Sequence, residues 1–278
     1  MNPPFALRRL CRHRADGFTL VEMIMVITIT GIIAAMVAVF VRAPVEGYID
    51  SVRRAEMTDQ ADLALRRIAR EVRRALPNSL RLTGDGFEFI LTRSGGRYRD
   101  AADGSTSGDF LDFSIPADLS FDVLGPVPAM NVGDRIVIYN LGVGYAPADA
   151  YSGGNVARIS AISGNTVTMQ SNPFAAQSPP LPSPSGRFQV VDQNELVVRY
   201  RCTGGELRRL QGCTLATPSV CSGTGNLLAG GGGTNVACTT DYVSAETSRN
   251  GLLLVSLTLS HSGESVTLFN QIRVDNSP

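Results

Sequence analysis

The sequence predicts an α+β protein: one long N-terminal helix, membrane-spanning in its first half and soluble and amphipathic in its second, packed on a large antiparallel β-rich head. Three observations carry that prediction. From Phe18 to Val41 the only charged residue is Glu22. From Val45 to Leu76 apolar residues recur at steps of three and four, the period of one helix face. Beyond Ser79 the period changes to two, and 28 glycines and 15 prolines across the chain supply the turns that an antiparallel sheet needs.

The first element is a basic leader, residues 1–17. Arg8, Arg9, Arg12 and Arg14 stand there against Asp16, and the leader ends in Gly17. The apolar segment 18–41 follows directly. As a helix it spans about 36 Å at about 1.5 Å per residue, enough for a hydrocarbon layer of about 30 Å. An ordinary secretory signal places its apolar stretch before the cut; here the apolar stretch comes after the glycine. The arginines before the segment, with Arg42 just after it, set the leader on the cytoplasmic side of the inner membrane and the C-terminal head in the periplasm.

Gly17-Phe18-Thr19-Leu20-Val21-Glu22, continued by the long apolar run, resembles the prepilin signature of type IV pilins and type II secretion pseudopilins. The resemblance implies that a prepilin peptidase cuts between Gly17 and Phe18 and methylates the new amine of Phe18. It also implies a filament subunit whose partners are other pilin or pseudopilin subunits, met through this helix. Glu22 fits that reading chemically. An acidic side chain in a membrane helix costs about 2–3 kcal/mol unless it finds a partner, and in the family the partner is the N-terminal amine of a neighbouring subunit. Many major pilins carry a helix-kinking proline where this sequence has Val39; its own proline, Pro44, comes after the apolar run with Gly47 close by, a place for a bend.

Segment 42–77 is the soluble part of the helix. Tyr48, Val52, Ala55, Leu65, Ile68, Val72 and Leu76 form its apolar stripe. Arginines 53, 54, 66, 67, 70, 73 and 74 are interleaved with Glu46, Asp50, Glu56, Asp59, Asp62 and Glu71, a mixed, solvated face with near-neighbour ion pairs. The sharper alternative is that these arginines touch an adjacent subunit's head. Pro77 and Asn78 end the helix.

Residues 78–278 form the head. Strands are expected around 87–91, 196–200, 253–259 and 266–274, with further candidates at Phe110–Ile115, Arg135–Tyr139 and Gly164–Gln170. Ser178–Gly186, with four prolines, and Gly223–Thr234, with a run of four glycines, read as loops. The close of the chain from Ser265 to Pro278, the run Val198 to Cys202 with Leu207-Arg208-Arg209, and Gly133-Asp134 leading into Ile136 to Asn140 resemble the O-type minor pilins of the mannose-sensitive haemagglutinin (MSHA) pilus.

Cys11 lies in the leader, and Cys202, Cys213, Cys221 and Cys238 lie in the head. Four cysteines in an oxidising compartment point to two disulfides; their spacings lack the two-residue gap of zinc ribbons. Three connectivities are open. Thr203 to Glu206 reads as a hairpin tip that places Cys202 opposite Leu207 and carries Cys213 beyond it. That disfavours a direct Cys202–Cys213 bond and favours Cys213–Cys221 with Cys202–Cys238.

Composition removes several chemistries. All 25 basic residues are arginine, which excludes Schiff-base chemistry and a P-loop lysine. They balance 25 acidic residues, so no basic excess calls for nucleic acid. His13 and His261 are the only histidines; His261 sits in a predicted turn without a nucleophile elbow or orienting acid. Asp100, Asp103, Asp109 and Asp112 form a glycine-containing acidic loop without the spacing of a known calcium loop. No cofactor, metal site or catalytic set is expected, and the absence of tryptophan removes one kind of adhesive platform. The reading is a non-enzymatic minor pilin of an MSHA-like pilus. Its alternatives are a minor pseudopilin of type II secretion and, in a different class, a membrane-anchored periplasmic binding protein or enzyme.

Overall fold

The computed structural model describes residues 17–100, 107–217, 220–243 and 250–278. The leader through Asp16 and the Asp103 position of the acidic loop lie outside them. The chain divides into two compact units, one ending at Val52 and the other beginning at Arg53, and a single helix, α1 (Leu20–Val72), supplies residues to both.

Thr19 caps α1: its Oγ1 accepts the Glu22 N–H at 3.3 Å, and its carbonyl accepts the Met23 N–H at 3.1 Å. A threonine at this position satisfies one of the four donors that a helix start leaves unpaired. Within the apolar run the Thr28 hydroxyl donates to the Ile24 carbonyl at 2.9 Å, and Thr30 donates likewise to Val26. Both hydroxyls are thereby satisfied inside the helix, as an apolar medium requires. Pro44 lies inside α1 and does not end it.

The expected helix end at Pro77 moves back to Val72 because the next residues are taken by a sheet. Ala75 bridges Leu91 and the Leu76 N–H donates to the Ile90 carbonyl at 2.8 Å, so the backbone bonds a further helical turn would use are already made. The expected apolar stripe also starts later. Tyr48, Val52 and Ala55 are exposed, and burial begins at Met57.

From Arg53 onward the core is built on α1 and two open antiparallel sheets. The larger has the order β1-β2-β9-β10-β11: β1 (Arg81–Thr83), β2 (Gly86–Ile90), β9 (Val197–Thr203), β10 (Glu206–Cys213) and β11 (Asn226–Ala229). The smaller is β12-β13-β14: β12 (Asn235–Val243), β13 (Asn250–His261) and β14 (Glu264–Asp275). Ala61, Ala64, Leu65, Ile68 and Val72 of α1 are buried with Phe87, Phe89, Val198 and Tyr200 of one sheet and Leu253, Val255, Leu257 and Ile272 of the other. The alanines let the helix approach closely, while Ile68, fully buried, contributes about 2–3 kcal/mol through its apolar area.

Between β2 and β9 the chain builds a closed six-stranded barrel of order β3-β4-β7-β6-β5-β8: β3 (Thr92–Tyr98), β4 (Ser120–Leu124), β5 (Arg135–Val137), β6 (Val156–Ser163), β7 (Thr166–Met169) and β8 (Arg187–Val191). Its interior holds Tyr98, Phe121, Phe174, Phe188, Ile136 and Val167. A second apolar seam of Val137 and Val191 with Leu76, Ile90, Val197 and Leu210 seats it on the larger sheet.

Two expected elements differ. Phe110–Ile115 is not a strand: Asp112 Oδ1 accepts the N–H groups of Ser114 at 2.6 Å and Ile115 at 3.2 Å, and this side-chain turn replaces ladder pairing. The Gly223–Thr234 stretch contains β11, because Asn226 to Ala229 find partners on the exposed edge of β10. Ser178–Gly186 is irregular, as its prolines require.

Candidate functional site

The N-terminal segment opens the described chain. Gly17 has open space around it and precedes the helix cap, and Phe18 is 77% exposed. Glu22 is exposed in the first turn of α1, where a carboxylate is favoured by the partial positive charge of the helix start. Beyond it Ile24, Ile27, Ile32, Met36 and Phe40 are all exposed. The helix therefore presents an apolar surface, long enough to cross a membrane by length and composition. Glu22 is the one acid on the otherwise apolar stretch from Phe18 to Val41.

In the head the structure joins Cys202 to Cys238 and Cys213 to Cys221. Cys202 stands opposite Leu207 in the β9–β10 hairpin, and its bond to β12 ties the two open sheets together. The second bond closes the turn that follows β10. A cleft of about 340 Å³ lies beside the first bond, between the β1–β2 turn and Thr239 and Thr240 of β12. Its acid, Asp85, is engaged by Arg199 at 2.6 Å.

The polar centre of the head is one that the sequence assigned to a solvated face. Glu71 of α1 accepts hydrogen bonds from Tyr200 Oη at 2.7 Å, Arg209 Nε at 2.7 Å and Arg67 Nε at 3.2 Å. Arg209, only 2% exposed, also reaches Glu195 Oε1 at 3.2 Å and Gln211 Oε1 at 2.8 Å. Burial alone would push the Glu71 carboxyl up; the bonds from Arg209 and Tyr200 outweigh it and hold the group below the usual glutamate range. Burial, with Glu71 beside it, pushes the Tyr200 phenol up. The cluster fixes where α1 sits on β9 and β10. The signal for it was available: Glu71 follows Ile68 by three residues, on the buried side of the helix.

Two other arginines of the solvated face make contacts within the chain itself. Arg66 pairs with Asp62 at 2.7 Å as a near neighbour on the helix, whereas Arg54 reaches Glu264 at the start of β14. His261 ends β13 and its Nδ1 lies 3.2 Å from the Thr234 hydroxyl. Asp109 and Asp112 serve turns: Asp118 Oδ2 accepts the Asp112 N–H at 2.7 Å, and Asp122 Oδ2 accepts the Asp109 N–H at 3.0 Å. Among the described residues no group of three histidine, cysteine or acidic side chains is placed to hold a metal.

Residues 12–38 match the prokaryotic N-terminal methylation motif. No curated protein sequence and no solved structure matches the chain. The motif suggests a pilin or pseudopilin subunit; it implies processing by a prepilin peptidase and assembly with other pilins.

Proposed function

We propose that the protein is a minor pilin: a non-enzymatic subunit for the biogenesis of a type IV, MSHA-like pilus. Prepilin peptidase removes the leader after Gly17 and methylates Phe18. Residues 18–41 hold the mature chain in the inner membrane with the head in the periplasm, and the same segment then carries it into the filament. The soluble part of the helix runs from residue 42 to its end at Val72, and the head follows it. Glu22 has no catalytic task; it pairs with the amine of the neighbouring subunit, which offsets the cost of a carboxylate among apolar helices.

The observation that carries this reading is the methylation motif running without interruption into an exposed apolar helix. Support for the minor, MSHA-like assignment comes from the sequence resemblances in the head and at the C-terminus. A head with an added barrel also suits a low-abundance subunit better than the repeating one.

Deletion of the coding sequence, complemented by the wild type, tests the reading. Loss of surface pili with normal exoprotein secretion is the expected result. Normal piliation with failed secretion would identify a type II pseudopilin, and no effect on either would favour a membrane-anchored binding protein or enzyme.

A further inference from the structure

The smaller sheet ends on β14, and among the described residues β14 pairs with β13 alone. The register runs without a shift from Asn250↔Asp275 to His261↔Glu264, so the far edge of β14 is regular and offers a row of unpaired N–H and C=O groups. Proteins blunt such edges by shortening them, or with proline, bulges or charge. The terminal strands of the larger sheet are blunted in the first way, β1 having 3 residues and β11 having 4. β12, at the opposite edge of the smaller sheet, is tied to β9 by the Cys202–Cys238 bond. β14 has 12 residues and no proline, and Ser265 to Ile272 carries no charge.

The outer face of the same strand holds Phe269, 74% exposed, the most exposed large apolar side chain of the described residues from Arg53 onward. It stands opposite Ser256 on β13 and lines a shallow groove with Leu254, Thr239 and Asp241. Glu264, at the start of the strand, is held by Arg54, so β14 is anchored at one end before any partner arrives.

We infer that β14 adds to β14 of a second copy of this chain, antiparallel, with Phe269 on the two-fold axis. In an antiparallel pair, directly opposed residues share a face. This register sets Phe269 against the partner's Phe269, Thr267 against the partner's Gln271, and Ser265 against the partner's Arg273. Glu264 faces the partner's Val274, so no like charges oppose one another. A shift of two residues either way sets Phe269 against glutamine or threonine and loses the aromatic cross-strand pair, one of the more favourable kinds. The contact is isologous and closes at two copies. It does not depend on the pilin reading.

The test uses the full mature chain in detergent, whose other head cysteines are paired. Phe269→Cys should give a reducible dimer under mild oxidation. Ser265→Cys alone should not, but mixed with Arg273→Cys chains it should. Phe269→Lys, at an exposed position, should leave circular dichroism unchanged and weaken dimerisation by about tenfold or more in sedimentation. Failure of Phe269→Cys to cross-link overturns the inference, as does a cross-link to a different subunit. A dimer that Phe269→Lys leaves intact overturns it too, by placing the contact elsewhere.

Discussion

Glu71 on α1 and Arg209 on β10, 138 residues apart in sequence, meet at 2.7 Å, and Tyr200 donates to the same carboxylate oxygen. The contact determines helix position: apolar burial alone would let α1 slide by a turn, whereas a carboxylate with three donors has one place to sit.

Breaking that contact from one side should be costly. Arg209→Met leaves Glu71 among apolar neighbours with fewer donors and should destabilise the head by about 3 kcal/mol. The double change Glu71→Leu with Arg209→Met should recover much of the loss, because no uncompensated charge remains. The same cluster sets an acid limit. A carboxyl whose folded pKa lies below its unfolded value adds stability that is complete above the unfolded pKa, about 4.3, and is lost as pH falls through the folded value. Denaturant midpoints from pH 7 to 2 should therefore fall for the wild type, and Glu71→Gln should flatten that segment of the profile. An unchanged profile in Glu71→Gln would show that other carboxylates set the limit.

The two disulfides should differ in worth. Cys202–Cys238 spans 36 residues and Cys213–Cys221 spans 8; loop-closure entropy assigns them about 4 and about 2.5 kcal/mol. Serine pairs at 202/238 should lower the unfolding free energy more than serine pairs at 213/221. The four cysteines of the mature chain should resist alkylation until reduced.

Processing gives a direct check at the N-terminus. In cells with an active prepilin peptidase, N-terminal peptide mass analysis should find a mature chain beginning at methylated Phe18. A chain still beginning at Met1 would remove the basis of the pilin reading.

Glu22→Val separates assembly from folding. Glu22 is exposed and remote in sequence from the head core, so cleavage, membrane insertion and both disulfides should survive the change. Incorporation into sheared filaments should fall about tenfold or more if a desolvated, partnered carboxylate is lost from the subunit contact. Equal recovery of both subunits would sink the pairing account.

The helix and the repeating strands were legible because their signal is local. Leu253, Val255, Leu257 and Leu259 alternate inward whatever they pair with, and all four are buried on β13. The β9–β10 hairpin was legible at its tip, Thr203 to Glu206, and with it the position of Cys202 opposite Leu207. The barrel was not legible. Its strands are short, and closure depends on β3 finding both β4 and β8, a pairing between residues such as Gly96 and Phe188 that periodicity does not encode. Phe110 to Ile115 misled because its apolar content resembled a strand, while Asp112 bonding its own following backbone decided otherwise.

By itself the sequence determined the N-terminal helix: an apolar run with one acid follows from hydropathy and charge order, which need no folding partner to be read. It determined the alternation of the long strands for the same reason. Only the tertiary structure decided where α1 ends, that Glu71 is a buried anchor rather than a solvated charge, that six strands close into a barrel, and that β14 is left with an open edge. Each of these is a question of which distant backbone or side-chain group satisfies which other, and that is settled when the whole chain competes for the same hydrogen bonds and apolar area.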